Sequence, residues 1–598
     1  MNDAKPDFVL ACTLKQLQAK GSLLVRSRHR PVLVVFDRGR VFALDNRCPH
    51  MGFPLDRGSI EDGILTCHWH HARFDLTSGC TFDLWADDVP TCPVELRGEE
   101  VWLRADFGHP DPIGHWRQRL EEGMAHDLGL VIAKAIRQLL VASVTPTEIL
   151  RQAALFGTRH RDGWGTGMTI LTALGWLLPL LSQEDAYLAL FQGARHVAVD
   201  CDGASPHRDP GRLSSRPDFA TLKRWLRQWS SVRHRAAAER TVHTAIAADA
   251  TPAALAELLF AAETDRIFAD GGHSLDFINK AFECLDLIGW EHAASVLPTV
   301  VGQMVSARGA EESPQWRRPI DLAALLERTF AELPAPAAQG CGPPSWHGHL
   351  ELSQELLDGH PAAVVEALKE AIRTGARPVD LGRTLAYTAA LRLARFGLSN
   401  EHSDWESAHH VFTYCNAVHQ ALERIDGQDL DRFESPEALR GVIHGAMAVY
   451  LTRYLNIPPA PIPGDDGEGL EGLPSDPEVL QRKLLDAFDC QRQVETAARL
   501  VARYLLLDHP PGPLIATLAH AVLREDAGFH AYQMLEAGVR QFHEWGGGDA
   551  GRHTLVAIAR YLAAHSPTER ASYQTAVIAR RLLSGRALHE EPKGERKP

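Results

Sequence analysis

Apolar positions follow two different rhythms along the chain. Over roughly the first hundred residues they form short Val-, Leu- and Phe-rich runs closed by turn residues. SLLVRS (22–27), PVLVVFDRGRVFALDN (31–46), ILTCH (64–68) and CPVELRGEEVWLR (92–104) therefore predict short strands. DRGR and RGEE fall where hairpin turns belong. Beyond FGHPDPIG (107–114) the rhythm changes to an apolar residue every third or fourth position. HDLGLVIAKAIRQLLVAS (126–143), TPAALAELLFAAE (251–263) and RTLAYTAALRLARFG (383–397) predict helices rich in Ala, Leu and Arg. Pro/Gly-rich breaks at 334–345 and 457–476 divide the helices into three blocks, with no clean repeat period. The expected fold is multidomain: an all-β domain over 1–106, a linker at 107–114, a large all-α domain over 115–585, and a disordered tail at 586–598.

Composition narrows the function classes. The 598 residues carry 62 basic and 76 acidic side chains, a net charge of −14, which argues against nucleic acid as a partner. The longest apolar run, ILTALGWLLPLL (170–181), is too short and too interrupted to span a bilayer. The N-terminus lacks an apolar signal core, so the expectation is a cytoplasmic protein without membrane attachment. Ten cysteines in a chain of this length do not make a disulfide framework.

Chemistry concentrates in CPHMGFPLDRGSIEDGILTCHWHH (48–71). Cys48-x-His50 is followed after 16 residues by Cys67-x-x-His70, so each arm offers one thiolate and one imidazole. A [2Fe–2S] centre with one bis-Cys and one bis-His iron needs this pairing. A tetrahedral zinc site accepts the same donors but seldom interleaves them in this order. His68 and His71 fall outside the pattern and read as exposed neighbours. The segment resembles the Rieske family over residues 8–104, from CPHMGFPL through FDLTSG to the closing hairpin. The resemblance implies Cys48, His50, Cys67 and His70 as ligands of a [2Fe–2S] cluster. Phe53 and His68 stand where respiratory members of that family carry a further Cys pair. Ala72 and Phe74 stand where those members present hydroxyls. Fewer donors to the sulfurs leave the reduced cluster less stabilised, so a low-potential centre of the ferredoxin and oxygenase type is expected.

A bare carrier needs far less chain than this. No His-x4-His pair follows residue 106, which removes the iron motif of the ring-hydroxylating oxygenases. GGGDAG (546–551) and GWGTGM (163–168) read as glycine-rich loops rather than nucleotide sites. Electrons must then come from a separate reductase or ferredoxin. Three His-containing segments of the helical region remain: His273 with Asp276, then Asp404 with His409, His410 and His419, and Asp526 with His530. Taken singly, each is better explained by core or capping roles. Together, HSLDFINKAFE, DWESAHH and EDAGFH resemble the all-helical questin oxidase-like proteins, which are associated with Baeyer–Villiger-type oxidation of polyketides. That resemblance implies His273, His409 and His530 as candidate catalytic residues, with His410 leaving the middle choice open. The expected function is an oxidoreductase, monooxygenase-like, that oxidises a small-molecule substrate and holds a second, mononuclear iron in the helical domain. The rival is a non-enzymatic electron-transfer or redox-sensing module on a helical scaffold.

Overall fold

The computed structural model describes residues 8–26, 31–104, 107, 111–333, 346–426, 437–465 and 468–584. Among the described residues, nine strands lie in the N-terminal region: β1 Val9–Thr13, β2 Ser22–Arg26, β3 Pro31–Asp37, β4 Arg40–Asp45, β5 Ser59–Glu61, β6 Ile64–Thr66, β7 Arg73–Asp75, β8 Val94–Arg97 and β9 Glu100–Leu103. They form three antiparallel three-stranded sheets, ordered β1-β9-β8, β2-β3-β4 and β5-β6-β7. The DRGR turn closes the β3–β4 hairpin with Asp37 opposite Arg40. Arg38 and Gly39 both take positive φ, the two-residue turn whose twist matches its strands. RGEE does the same work between β8 and β9, with Arg97 opposite Glu100.

Strand alternation splits β3 between two cores. Val32 and Val34 pack with Leu17, Ala43, Val101 and Leu103, while Leu33 and Val35 face Leu44, Leu65, Phe74 and Val89. The second core includes Cys48 and Cys67, so the loops that carry them are anchored in apolar packing.

The described residues beyond 111 are mainly helical, as their periodicity predicts, and those within 457–476 are non-helical. The 334–345 break and the 586–598 tail lie outside the described residues. Chain contacts divide the molecule elsewhere than composition does. One compact unit spans Met1–Thr145 and takes in Ser572–Pro598, and the other spans Pro146–Ala571. The expected boundary at 106 thus runs through a unit: Pro112–Gly114 of the expected linker already belong to the helix Pro112–Ala125. That helix and the next, Gly129–Val141, stay with the β region because their Arg119 and Lys134 reach its Asp87. Among the described residues, no helix is long and apolar enough to cross a membrane.

Candidate functional site

Two loops of the N-terminal unit share one backbone design. The Cys48 N–H donates to Phe53 O at 2.8 Å and the Gly52 N–H returns to Cys48 O at 2.7 Å. In the second loop Cys67 N–H donates to Ala72 O at 2.8 Å and His71 N–H to Cys67 O at 2.9 Å. Each turn needs a left-handed residue four places after its cysteine, supplied by Gly52 (φ 79°) and His71 (φ 63°). The outcome is that Cys48 and Cys67 point inward, 3% and 1% exposed, while the His50 and His70 rings meet edge to face with centroids 4.8 Å apart. His68 and His71 are exposed. Trp85 packs against His50 and Trp69 against His70, each with centroids 4.6 Å apart.

Hydrogen bonding and burial together set the electrostatics of this cradle. The two thiols share a hydrogen bond, which pushes Cys48 up and holds Cys67 down to about 6. Backbone N–H groups of His50 and Met51 donate to the Cys48 sulfur, and those of Trp69 and His70 to the Cys67 sulfur. Burial, with His70 and Lys134 nearby, lowers His50 to about 4. Ala72 and Phe74 are fully buried in the apolar core and bring no hydroxyl. Asn46 steadies the first loop through paired 2.7 Å bonds with Asp56. Lys134, which the sequence reading did not single out, is 2% exposed. Its ammonium donates to Pro49 O and lies 3.4 Å from His50 O and 3.0 Å from Asp87 Oδ2.

The second unit gathers histidines from three distant segments. His273 begins the helix His273–Ile288, His410 lies in His402–Asp426, and His530 is the second residue of Phe529–Trp545. One ligand-capable atom from each lies within 4.8 Å of the others. The Nε2 atoms of His410 and His530 are 3.0 Å apart, and the His273 ring sits 4.3 Å from that of His410. Of the two adjacent histidines it is therefore His410 that joins the group. His409 is turned behind it, fully buried and stacked on Tyr561 with centroids 4.9 Å apart. Burial and mutual proximity lower His410 and His530 to about 3, and burial lowers His273, so all three rings are neutral at pH 7.

Neither Asp276 nor Asp404, two of the acids expected beside these histidines, attends them. Asp276 accepts from Gln533, Asp404 from the Glu401 N–H at 3.1 Å, and Asp526 from the Ala571 N–H at 2.8 Å. Glu406 does so instead, with its Oε1 3.3 Å from His530 Nδ1. Its signal was present in the sequence as His402-x3-Glu406-x3-His410, one stripe along a helix face. His419, farther along that helix, bonds Gln541 at 3.1 Å.

A buried polar seam sets this geometry. Lys280 of the His273 helix pairs with Glu283 at 2.7 Å and with Glu536 of the His530 helix. Gln541 reaches Asn416 of the His410 helix at 2.8 Å. An apolar groove of about 500 Å³ lies along the same helix, its wall including Phe268, Trp316, Ile320, Val411 and Tyr450. Ser407 and Val411 of that wall flank His410 in sequence.

Comparison with known proteins bears on the N-terminal region. A family model described as the Rieske [2Fe-2S] domain matches residues 7–92. The 3-phenylpropionate/cinnamic acid dioxygenase ferredoxin subunit of Photorhabdus laumondii subsp. laumondii is 30% identical over 97 residues, covering 16% of this chain and 91% of the subunit. Apoptosis-inducing factor 3 of Homo sapiens is 34% identical over 95 residues, 16% of either chain. The toluene-4-sulfonate monooxygenase system iron-sulfur subunit TsaM1 of Comamonas testosteroni is 30% identical over 188 residues, 27% of this chain and 52% of the subunit. The chain thus spans about a sixth of the human relative and about half of the TsaM1 subunit.

Proposed function

The chain belongs to the Rieske [2Fe–2S] family through residues 7–92, and from that premise we propose a cytoplasmic oxidoreductase with two metal centres. Cys48 and Cys67 hold one iron of the cluster, and His50 and His70 hold the other. The cradle suits that group. Its thiols are buried, four backbone N–H groups already face the sulfurs, and His50 Nδ1 is buried without a hydrogen-bond partner among the described residues. When bound, the cluster supplies one-electron reduction and oxidation. Lys134 and the amide donors hold the loops and favour the more negative, reduced state. The chain takes its electrons from a separate reductase or ferredoxin.

In the helical unit, His273, His410 and His530 hold a mononuclear iron, and the apolar groove along the helix that carries His410 binds a small organic substrate for oxidation. The observation that carries this reading is the convergence of three neutral imidazoles from segments more than a hundred residues apart. Imidazoles projecting from facing helices are a standard way to build a metal site in a helical protein. Iron and sulfide counts on anaerobically purified protein test it. Iron in excess of sulfide, lost in His273→Ala and His530→Ala while the cluster's electron paramagnetic resonance signal persists, is the expected result. Equal iron and sulfide would leave the scaffold reading.

A further inference from the structure

Beside the His273–His410–His530 group lies a second set of donors that the reading above does not use. His402 and Glu406 are one turn apart on the same helix, with His402 Nδ1 3.6 Å from Glu406 Oε1. His565, at the C-terminal cap of the helix Gly548–Ala564, brings its ring edge-on to His402 with centroids 4.3 Å apart. One ligand atom from each of these three residues lies within 4.8 Å of the others. Two donors on one first-row cation stand at most about 4.2 Å apart, so small side-chain rotations close the set.

The tautomer of His565 is settled by its surroundings. Its Nδ1 is 2.7 Å from Tyr561 O. A carbonyl only accepts, so Nδ1 carries the hydrogen and Nε2 keeps its lone pair. That Nε2 is buried and has no hydrogen-bond partner among the described residues. An imidazole whose other nitrogen donates to a backbone carbonyl is oriented as metal-bound histidines are. A cavity of about 150 Å³ lined by His402, Glu406, His530, His565, Ser566 and Thr568 leaves room for a cation and its waters.

We infer that His402, Glu406 and His565 form a further divalent-cation site, joined to the His273–His410–His530 site through the Glu406–His530 contact. Two imidazoles and one carboxylate with open positions suit iron(II) and its first-row neighbours. Glu406 thereby has two roles: its carboxylate ligates one cation and accepts from His530 Nδ1, which turns His530 Nε2 toward the other. The inference rests on the triad reading for its partner metal but on separate residues for its own.

The test uses the full-length protein with its cluster intact. Labile metal is removed by chelation, Co²⁺ is added, and bound cobalt is counted after gel filtration, with sulfide counting the cluster. Two cobalt ions per chain are expected. His565→Ala and His402→Ala should each leave one, as should His410→Ala. His402 is exposed, so its removal keeps the test open should His565→Ala disturb folding. One cobalt in the wild type, lost in His410→Ala and kept in both His402→Ala and His565→Ala, overturns this inference and leaves the triad standing. No cobalt in the wild type overturns both.

Discussion

At the scale of single residues, the charge around the cluster loops sets a redox expectation. Four backbone amides face the sulfurs, but Ala72 and Phe74 add no hydroxyl. Rieske potentials run from about −150 to +300 mV, ordered by such donors and by nearby charge. A midpoint near or below zero at neutral pH is expected here, and one above about +200 mV would refute the hydrogen-bond argument. Lys134 is the strongest single lever. Its buried ammonium touches the carbonyls of the first loop and offsets Asp87. Lys134→Met removes a positive charge and leaves Asp87 to Arg119 alone, which disfavours the reduced cluster. Protein-film voltammetry should show the midpoint moving to more negative potential by tens of millivolts. An unchanged midpoint would mean that Lys134 serves folding only.

Helices position the second site through matched polar stripes. Asp276, Lys280 and Glu283 continue the face of their helix below His273, and Gln533, Glu536 and Arg540 continue that of theirs below His530. The Gln533–Asp276 and Lys280–Glu536 contacts fasten these faces to each other. Both carboxylates facing Lys280 are at most 1% exposed. Breaking a buried pair costs about 3–5 kcal/mol because the partner stays buried and charged. Lys280→Met should therefore lower unfolding free energy by about that amount and loosen metal binding at His273 and His530. The solvated pair Arg317–Asp321 supplies the contrast, since Arg317→Ala breaks an ion pair that water already screens and should cost far less. Urea unfolding of the two variants against the wild type measures the difference.

For the whole molecule, a helix late in the sequence packs within the N-terminal unit. The helix Ala571–Leu583 belongs, from Ser572 on, to the N-terminal unit. A methyl group added at Gly52, in the first cysteine loop, would meet Leu582 at 3.2 Å. Leu582 and Leu583 also line the cavity of about 230 Å³ beside Cys48 and Lys134. A chain ending at Ala571 should keep its helical unit but expose this loop. Its visible spectrum should bleach several-fold faster under air or chelator than that of the full chain, with cobalt binding in the helical unit unchanged. Equal bleaching rates would show that the C-terminal helix covers nothing of consequence.

Short-range features were legible in the amino-acid sequence. The two hairpin turns, the change from strand to helix and the Cys-x-His and Cys-x-x-His arms all depend on neighbours within a few positions, where backbone sterics and side-chain type decide. Glu406 could have been read from its stripe with His402 and His410, because helical spacing is local too. What tertiary structure alone decided is whatever depends on which helix faces lie together. His410 rather than His409 meets His530, since adjacent residues on a helix point about 100° apart and only packing selects one direction. Asp276 turns to Gln533 instead of to the histidine beside it, and Asp526 accepts from a backbone N–H, because those partners arrive from other helices. His565 and Leu582 carry no local signal. Each acquires its place from segments far away in the chain, through burial of apolar faces that no window of the sequence contains.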